Sequence, residues 1–372
     1  MNNSRCNPGK KSSMPHGPMP SRLDAPRIAV ITEDLRLPLD EGAKKTAYNL
    51  IRALENRGAN VLVFTQYKNH LERNTFQLPW NKFLFGYSFG HNLRAQSSHV
   101  FIYIPSSSGT IGAFVRAAMI KAQSPGIPLA LLNLQYRELP AFARHLSLRW
   151  CVDIIFTQSQ VSMEVFRSFG CKTILLPGGV DHTIFRPVGK QEKHLLRLKY
   201  GFQEADQIVL HVGHCNRDRN VITLARLVES GFKVILIAST STAIDHDLLV
   251  ELRRSGVTVI ADFIENVQHF YQMADCYLFP VLRATSAIDA PLSVLEAMAC
   301  NLPIVTTRFG ALPSMFQPGN GLYYWDTDEE IVGMVKQAVE EQECRTLEKV
   351  SHYSWDSVAL AILETLEGMG RL

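Results

Sequence analysis

Between Asp275 and Thr307 the chain carries residue types that together could hold a diphosphate. The spacing predicts a helix over Pro291–Cys300, with Leu292 and Ser293 in its first turn and Glu296 one turn further on. Proline suits the first helical position, because an N–H there has no intrahelical partner to lose. The amides of Leu292 and Ser293 are then free. Together with the positive end of the helix dipole they make a site for an anion. Glu296 could accept hydrogen bonds from a ribose diol. Every helix has free amides at its start, however, and the same glutamate could simply face solvent.

A second candidate follows the apolar run Ile208–Val212. The segment Gly213-His214-Cys215-Asn216-Arg217-Asp218-Arg219-Asn220 places a glycine at a strand end and two arginines just before a helix. Arginine forks grip phosphate oxygens; the plain alternative is a solvated basic turn. On the other half of the chain, Pro105-Ser106-Ser107-Ser108-Gly109 could line a pocket at a strand end or form a turn and helix cap. Asn133, Gln135, Tyr136 and Arg137 follow a further strand. Asp326-Thr327-Asp328 has the form of a metal-chelating DxD. Thr327 followed by Glu330 before the apolar-periodic Ile331, Val332, Val335 and Ala338 reads better as a capping box. The segment Ala113–Ala122 is amphipathic, with Arg116 and Lys121; it could face a membrane surface, but its apolar stripe reads first as core. Motifs of serine hydrolases, zinc proteases, P-loop NTPases and dinucleotide dehydrogenases are absent.

Strands and helices must position these groups. The chain has 372 residues, 46% hydrophobic and 20% charged, which describes an ordinary globular protein of about two domains. Its 38 Lys+Arg against 35 Asp+Glu give +3, too balanced for a protein that coats nucleic acid. The 7 cysteines include no CxxC pair, so zinc ribbons and disulfide frameworks are poor readings and reduced, cytoplasmic thiols the simpler one. Residues 1–26 read as a flexible tail without an apolar signal region. Short apolar runs then alternate with helical patterns: Arg27–Thr32, a helix over Thr46–Asn56, Val61–Phe64, Val100–Ile104, Leu129–Leu132, Ile154–Thr157 and Thr173–Leu176. A second series runs through Ile208–Val212, Val234–Ala238, Val257–Ile260, Cys276–Pro280 and Ile304–Thr306. Two βα arrays predict an α/β protein of two Rossmann-like domains with the ligand in the crevice between them.

Several segments resemble the GT4 family of retaining glycosyltransferases (glycosyltransferase group 1, GT-B fold). They are Glu41-Gly42-Ala43-Lys44-Lys45, Asp153–Ser159, Leu176-Pro177-Gly178-Gly179-Val180-Asp181 with Phe185-Arg186-Pro187, Ala274–Pro280, Leu295–Val305 and Ser354-Trp355-Asp356. The resemblance implies an N-terminal acceptor domain over 27–186 and a nucleotide-sugar donor domain over 187–350. It also implies a C-terminal helix over 351–372 that packs back on the first domain. By the same token it implies a hexosyltransferase-like enzyme, metal-independent and without cofactor, that retains the sugar's configuration.

Position by position, the resemblance implies donor contacts from Gly42, Gly213, His214, Arg219, Leu292, Ser293 and Glu296, with Glu296 on the ribose. Ser106, Ser107 and Gln135 fall on the acceptor side, and Phe263 to Asn266 near the base. The chain departs from the family in three places. Ile288 stands where the first glutamate of the paired motif belongs, leaving Asp289 as a displaced substitute beside Glu296 and Arg219 in the catalytic set. Pro291 replaces a glycine, and His214 replaces an arginine with a weaker, pH-dependent cation. Ile288 and Pro291 keep open a non-catalytic nucleotide- or glycan-binding relative; behind it stands a nucleotide-sugar epimerase, another enzyme class on the same architecture, whose signature residues are absent here. The implied partners are a nucleotide sugar and a glycan, lipid or small-molecule acceptor. No nucleic acid is implied, and the expected location is cytoplasmic, with a peripheral contact at the inner membrane face left open.

Overall fold

The structure is a computed structural model that describes residues 25–67, 74–77, 90–91, 97–139, 148–241, 243–341 and 343–370. All but the last two residues of the expected tail lie outside these. Two parallel sheets build two lobes. In the first, strands β1 (Arg27–Thr32), β2 (Asn60–Thr65), β3 (Thr75–Gln77), β4 (Val100–Ile104), β5 (Leu129–Asn133), β6 (Ile154–Thr157) and β7 (Thr173–Leu175) lie in the order β3-β2-β1-β4-β5-β6-β7. Helices α1 (Gly42–Asn56), α2 (Ile111–Gln123) and α3 (Gln160–Ser168) cross between them. β4 and β5 are buried along their whole length, as central strands covered on both faces must be.

The second lobe opens with α4 (Lys190–Lys199) and carries β8 (Ile208–Gly213), α5 (Leu224–Glu229), β9 (Lys233–Ala238), α6 (His246–Arg254), β10 (Thr258–Ile260), α7 (Gln268–Met273) and β11 (Cys276–Phe279). It continues through α8 (Leu292–Ala299), β12 (Ile304–Thr306), α9 (Leu312–Met315), β13 (Leu322–Tyr324) and α10 (Ile331–Glu340). Its strand order is β10-β9-β8-β11-β12-β13. Both sheets reverse their winding once, between β1 and β4 and between β8 and β11. Loops leaving the carboxyl ends of these strands diverge at the reversal and leave a crevice. The two crevices face each other.

Three local differences from the sequence reading have plain causes. α1 starts at Gly42 and not at Thr46, because Glu41 holds the extended conformation of an N-cap. Pro291 is likewise the N-cap of α8 (ψ 117°) and not its first helical residue. Edge strands β3 and β13, three residues each, are too short to announce themselves by alternation.

After α11 (Thr346–Val350) the chain crosses back, and α12 (Trp355–Gly368) packs on α1. Ser354 Oγ caps α12 by accepting from Ser357 N, and Arg57 at the end of α1 pairs with Asp356 at 2.5 Å. The crossing requires Gly179. A Cβ there would lie 2.7 Å from the Trp355 amide nitrogen, where Val180 donates to the Tyr353 carbonyl.

Candidate functional site

The facing crevices enclose a cavity of about 410 Å³. Gly42, Ser106, Ser107, Gln135, Gly213, His214, Arg219, Leu292, Ser293 and Glu296 all line it; Asp289 does not.

Arg219 sits in a short 3₁₀ turn after β8 and is only 8% exposed. Its Nη2 donates to His214 Nδ1 at 3.4 Å, and its Nε is buried without a partner. No carboxylate pairs with it among the described residues. Burial lowers its pKa to about 10, which leaves it fully charged at neutral pH. A buried cation without a counter-ion costs several kcal/mol, so this guanidinium is poised for an anion.

His214 is not the second cation the sequence reading expected. Burial and then the Arg219 charge pull its pKa down to about 4, against a weaker opposite pull from Asp40. Since Nδ1 accepts from Arg219, the ring proton belongs on Nε2, and His214 is a neutral N–H donor. Behind it lies His211, which sequence reading missed because it sits inside the apolar run of β8. Its Nδ1 donates to the Leu278 carbonyl at 2.8 Å, and burial lowers its pKa to about 4. A Cβ on Gly213 would come within 3.1 Å of His211 Nε2 and 3.3 Å of Arg219 Nη1. Gly213 is therefore the residue that lets the histidine and the arginine close on the strand end.

The first intrahelical bond of α8 runs from Val294 N to Pro291 O, so the amides of Leu292 and Ser293 open toward the cavity. Glu296, 4% exposed, forms an ion pair through Oε1 with Lys45, which reaches over from α1. Its Oε2 accepts from the buried Tyr271 hydroxyl at 3.1 Å. Gly42 begins α1 one turn before Lys45. Ile288 packs on it: a Cβ at Gly42 would lie 3.1 Å from Ile288 Cδ1. The position expected from the resemblance to carry a glutamate thus presents a hydrocarbon surface to the cavity.

Asp289 does not substitute for it. Its side chain points away and is 1% exposed. It accepts from the Tyr136 amide (2.6 Å), Ser159 Oγ (2.5 Å) and Ser162 Oγ (2.8 Å), all on the first lobe, while its own amide donates to Leu134 O. The one-residue shift has turned this carboxylate from the crevice into the seam, where it braces the lobes. Burial raises its pKa against the pull of those three donors. The seam has further members. Gln135 donates both amide hydrogens across it, to Thr285 O (2.6 Å) and Ala287 O (2.8 Å), so this acceptor-side candidate is mainly a brace. Asp40 accepts from Thr240 N and Oγ1 and from Ser241 Oγ, and Gln158 Oε1 accepts from Ala290 N.

On the first-lobe wall, Ser106 N donates to Glu33, and Ser108 Oγ accepts from the amides of Leu134 and Gln135. Glu41 also lines the cavity, and sequence reading gave it no role. Burial raises its pKa, with Asp34, Asp40 and Glu33 adding to the effect and Lys44 opposing it. A smaller cavity of about 90 Å³ adjoins the first, sharing Lys45, Gly213 and Glu296, and is walled by Ile237, Phe263, Ile264 and Val267. Phe263, from the segment expected near a base, is 57% exposed at its rim.

Two decoys resolve. Asp326 pairs with Arg308 outside the cavity, and Glu330, the N-cap of α10, accepts from the amides of Asp326 and Thr327; Glu330 rather than Thr327 closes this helix start. Of the cations of α2, Arg116 is buried against Tyr103 Oη and Glu33, and the partly exposed Lys121 pairs with Asp153 at 3.0 Å. Among the described residues no helix is long and apolar enough to cross a membrane.

Residues 207–341, running from β8 to the end of α10, match the family model described as glycosyl transferases group 1. Over 236 residues the chain is 25% identical to the GDP-mannose-dependent alpha-(1-6)-phosphatidylinositol dimannoside mannosyltransferase of Mycobacterium tuberculosis, covering 58% of each chain. It is 24% identical over 161 residues to the N-acetyl-alpha-D-glucosaminyl L-malate synthase of Bacillus anthracis, covering 41% of this chain and 40% of that one. The chain thus spans about half the length of these relatives. Among solved structures it resembles Anabaena Alr3699/HepE in complex with UDP, with a TM-score of 0.71 at 16% identity over 92% of this chain and 100% of that one. That likeness establishes the architecture as GT-B.

Proposed function

We propose, from a second lobe that is a group 1 glycosyl transferase domain, that this protein transfers a sugar from a nucleotide-sugar donor to an acceptor hydroxyl, retaining configuration and needing no metal. One observation carries the reading: Arg219, a buried guanidinium with no counter-ion among the described residues, shares the cavity with the free amides of Leu292 and Ser293 and with Glu296. In this reading the diphosphate lies against Arg219, the α8 amides and the Nε2–H of His214. Glu296 holds the ribose, and the base enters the smaller cavity beside Phe263. Two solved complexes of HepE, one with UDP and one with UDP-glucose, support a nucleotide-sugar occupant.

The bond from sugar C1 to the diphosphate oxygen breaks, and its electron pair leaves with the diphosphate. The acceptor oxygen bonds C1 on the same face, and its proton passes to the departing phosphate oxygen. Charge grows on the diphosphate as the bond breaks. Contacts from Arg219 and the helix end therefore strengthen in the transition state, which is what lowers a barrier. Closure of the lobes along the Asp289 and Gln135 seam keeps water from the sugar.

The test is release of nucleoside diphosphate from UDP-, GDP- and ADP-sugars, with and without a chelator, and NMR of the product's anomeric carbon. Release abolished by chelator overturns metal independence, and an inverted anomer overturns retention. The hydrocarbon face of Ile288 on Gly42 favours one rival, a non-catalytic nucleotide binder. Tight nucleotide binding with no release from any donor and acceptor would establish it.

A further inference from the structure

Among the charged residues that line the main cavity, most are already matched. Lys45 pairs with Glu296, Asp218 pairs with Arg283, and Asp40 is held by Thr240 and Ser241. Two guanidiniums have no carboxylate partner among the described residues, and they belong to opposite lobes: Arg219 on the second and Arg137 on the first. Arg137 is half-buried. Its Nη2 donates to the neutral Gln135 Oε1 at 2.8 Å, and its Nε is buried with no partner. Gln135 has both amide hydrogens committed to the seam, so its oxygen is held in place for Arg137 and fixes the guanidinium's direction. Gly109, at φ +71°, packs beneath this strand end: a Cβ there would lie 3.1 Å from both Asn133 Oδ1 and the Gln135 carbonyl, the backbone that carries Arg137. The hydroxyl residues Ser106 and Ser107 line the same wall.

We propose that the acceptor carries an oxyanion, a phosphate or carboxylate group, and that Arg137 receives it beside Ser106 and Ser107. A planar fork with an idle N–H, braced by a rigid amide, is suited to planar or tetrahedral oxyanions and not to a neutral polyol. Glu41 lines the same cavity from this lobe and restricts where that charge can sit. The inference rests on reading the cavity as a transferase site.

The test titrates glycerol 3-phosphate, L-malate and glycerol into the protein loaded with UDP or GDP, for wild type, Arg137→Ala, Arg137→Lys and Arg219→Ala. The two anions are expected to bind wild type and glycerol not. Arg137→Ala should weaken the anions by about tenfold or more, and Arg137→Lys by less. Arg137→Ala should leave nucleoside diphosphate affinity in place, and Arg219→Ala should do the reverse. Flotation with phosphatidylcholine vesicles, with and without phosphatidic acid, separates a lipid-borne phosphate from a free one. Equal binding of glycerol and glycerol 3-phosphate overturns the proposal. So does unaltered anion binding in Arg137→Ala, or loss of nucleoside diphosphate binding in that variant equal to the loss in Arg219→Ala. Turnover with neutral acceptors alone removes this inference and leaves the transferase reading standing. Absence of release from every donor removes the transferase reading, and the binding arms still decide whether Arg137 holds an oxyanion.

Discussion

Lys45 and Glu296, separated by 251 positions, form an ion pair across the two lobes at the point where the main cavity meets the smaller one. Glu296 is the more deeply buried partner and has a second bond from Tyr271. Removing the lysine therefore leaves a carboxylate in a low-dielectric site with one donor. Lys45→Met should destabilise more than Glu296→Gln. The double-mutant cycle should give a coupling of about 1–3 kcal/mol in urea unfolding. A coupling near zero would mean that the pair is an incidental contact.

Arg219 should show opposite effects on stability and on binding. Without ligand it is a buried charge with no counter-ion among the described residues, so Arg219→Met should leave the melting temperature unchanged or raise it. Binding of a nucleoside diphosphate should weaken by about 1.5–3 kcal/mol, the worth of a hydrogen bond to a charged group. Calorimetry and thermal unfolding on the same preparation check both signs. A variant that melts earlier yet binds normally would make Arg219 a structural residue.

The two histidines behind and beside Gly213 set a pH dependence. His211 has a folded pKa of about 4 against an ordinary 6.5, because charging it would require burying a cation. Between those values the unfolded chain binds the extra proton. Stability is therefore fully present above about pH 6.5 and is lost as pH falls toward 4. The shift corresponds to about 3 kcal/mol at most for His211. His211→Asn, whose amide nitrogen can replace Nδ1, should flatten urea midpoints measured across that window. His214, lowered to about 4 as well, works in the same direction. As a neutral donor, His214 should be replaceable by glutamine with little loss of nucleoside diphosphate affinity, and His214→Ala should lose about 0.5–1.5 kcal/mol.

What could be read from the sequence were features with a local cause. Buried parallel strands are continuous apolar runs, so the two βα arrays and the crevice between them followed from Arg27–Thr32 and its successors. Arg219 lies in the turn after a strand and Glu296 one turn into a helix, places where ligand chemistry concentrates, and both line the cavity. What could not be read depends on the lobes meeting. Asp289 differs from a cavity residue only by facing the seam, where it finds Ser159 and Ser162 of the other lobe. Ile288 covers Gly42, and Lys45 neutralises Glu296, through contacts with no periodic signature. His214 looks like a cation until Arg219 and burial are placed beside it. His211 hides in a strand because a satisfied neutral imidazole packs like any other ring.

The return of α12 to the first lobe gives a last test. Gly179 has no room for a side chain: a Cβ would meet Trp355 N at 2.7 Å, Ser354 C at 2.8 Å and Trp355 Cα at 2.9 Å. All three are backbone atoms at the capped start of α12, held by Val180 N donating to Tyr353 O and by the Ser354 cap. A rotamer change cannot relieve such a clash, so Gly179→Ala must push α12 outward against α1. The expected cost is about 1–3 kcal/mol in urea unfolding, typical of overpacking. Amide exchange should quicken first in α12 and at Arg57, whose partners are the side chain and carbonyl of Asp356. Gly178→Ala is the internal control. Its nearest neighbour is a Leu292 side-chain carbon at 3.3 Å, which can give way, so its cost should be clearly smaller. Equal costs for the two substitutions would mean that the crossing backbone, and not the space at Gly179, sets the position of α12.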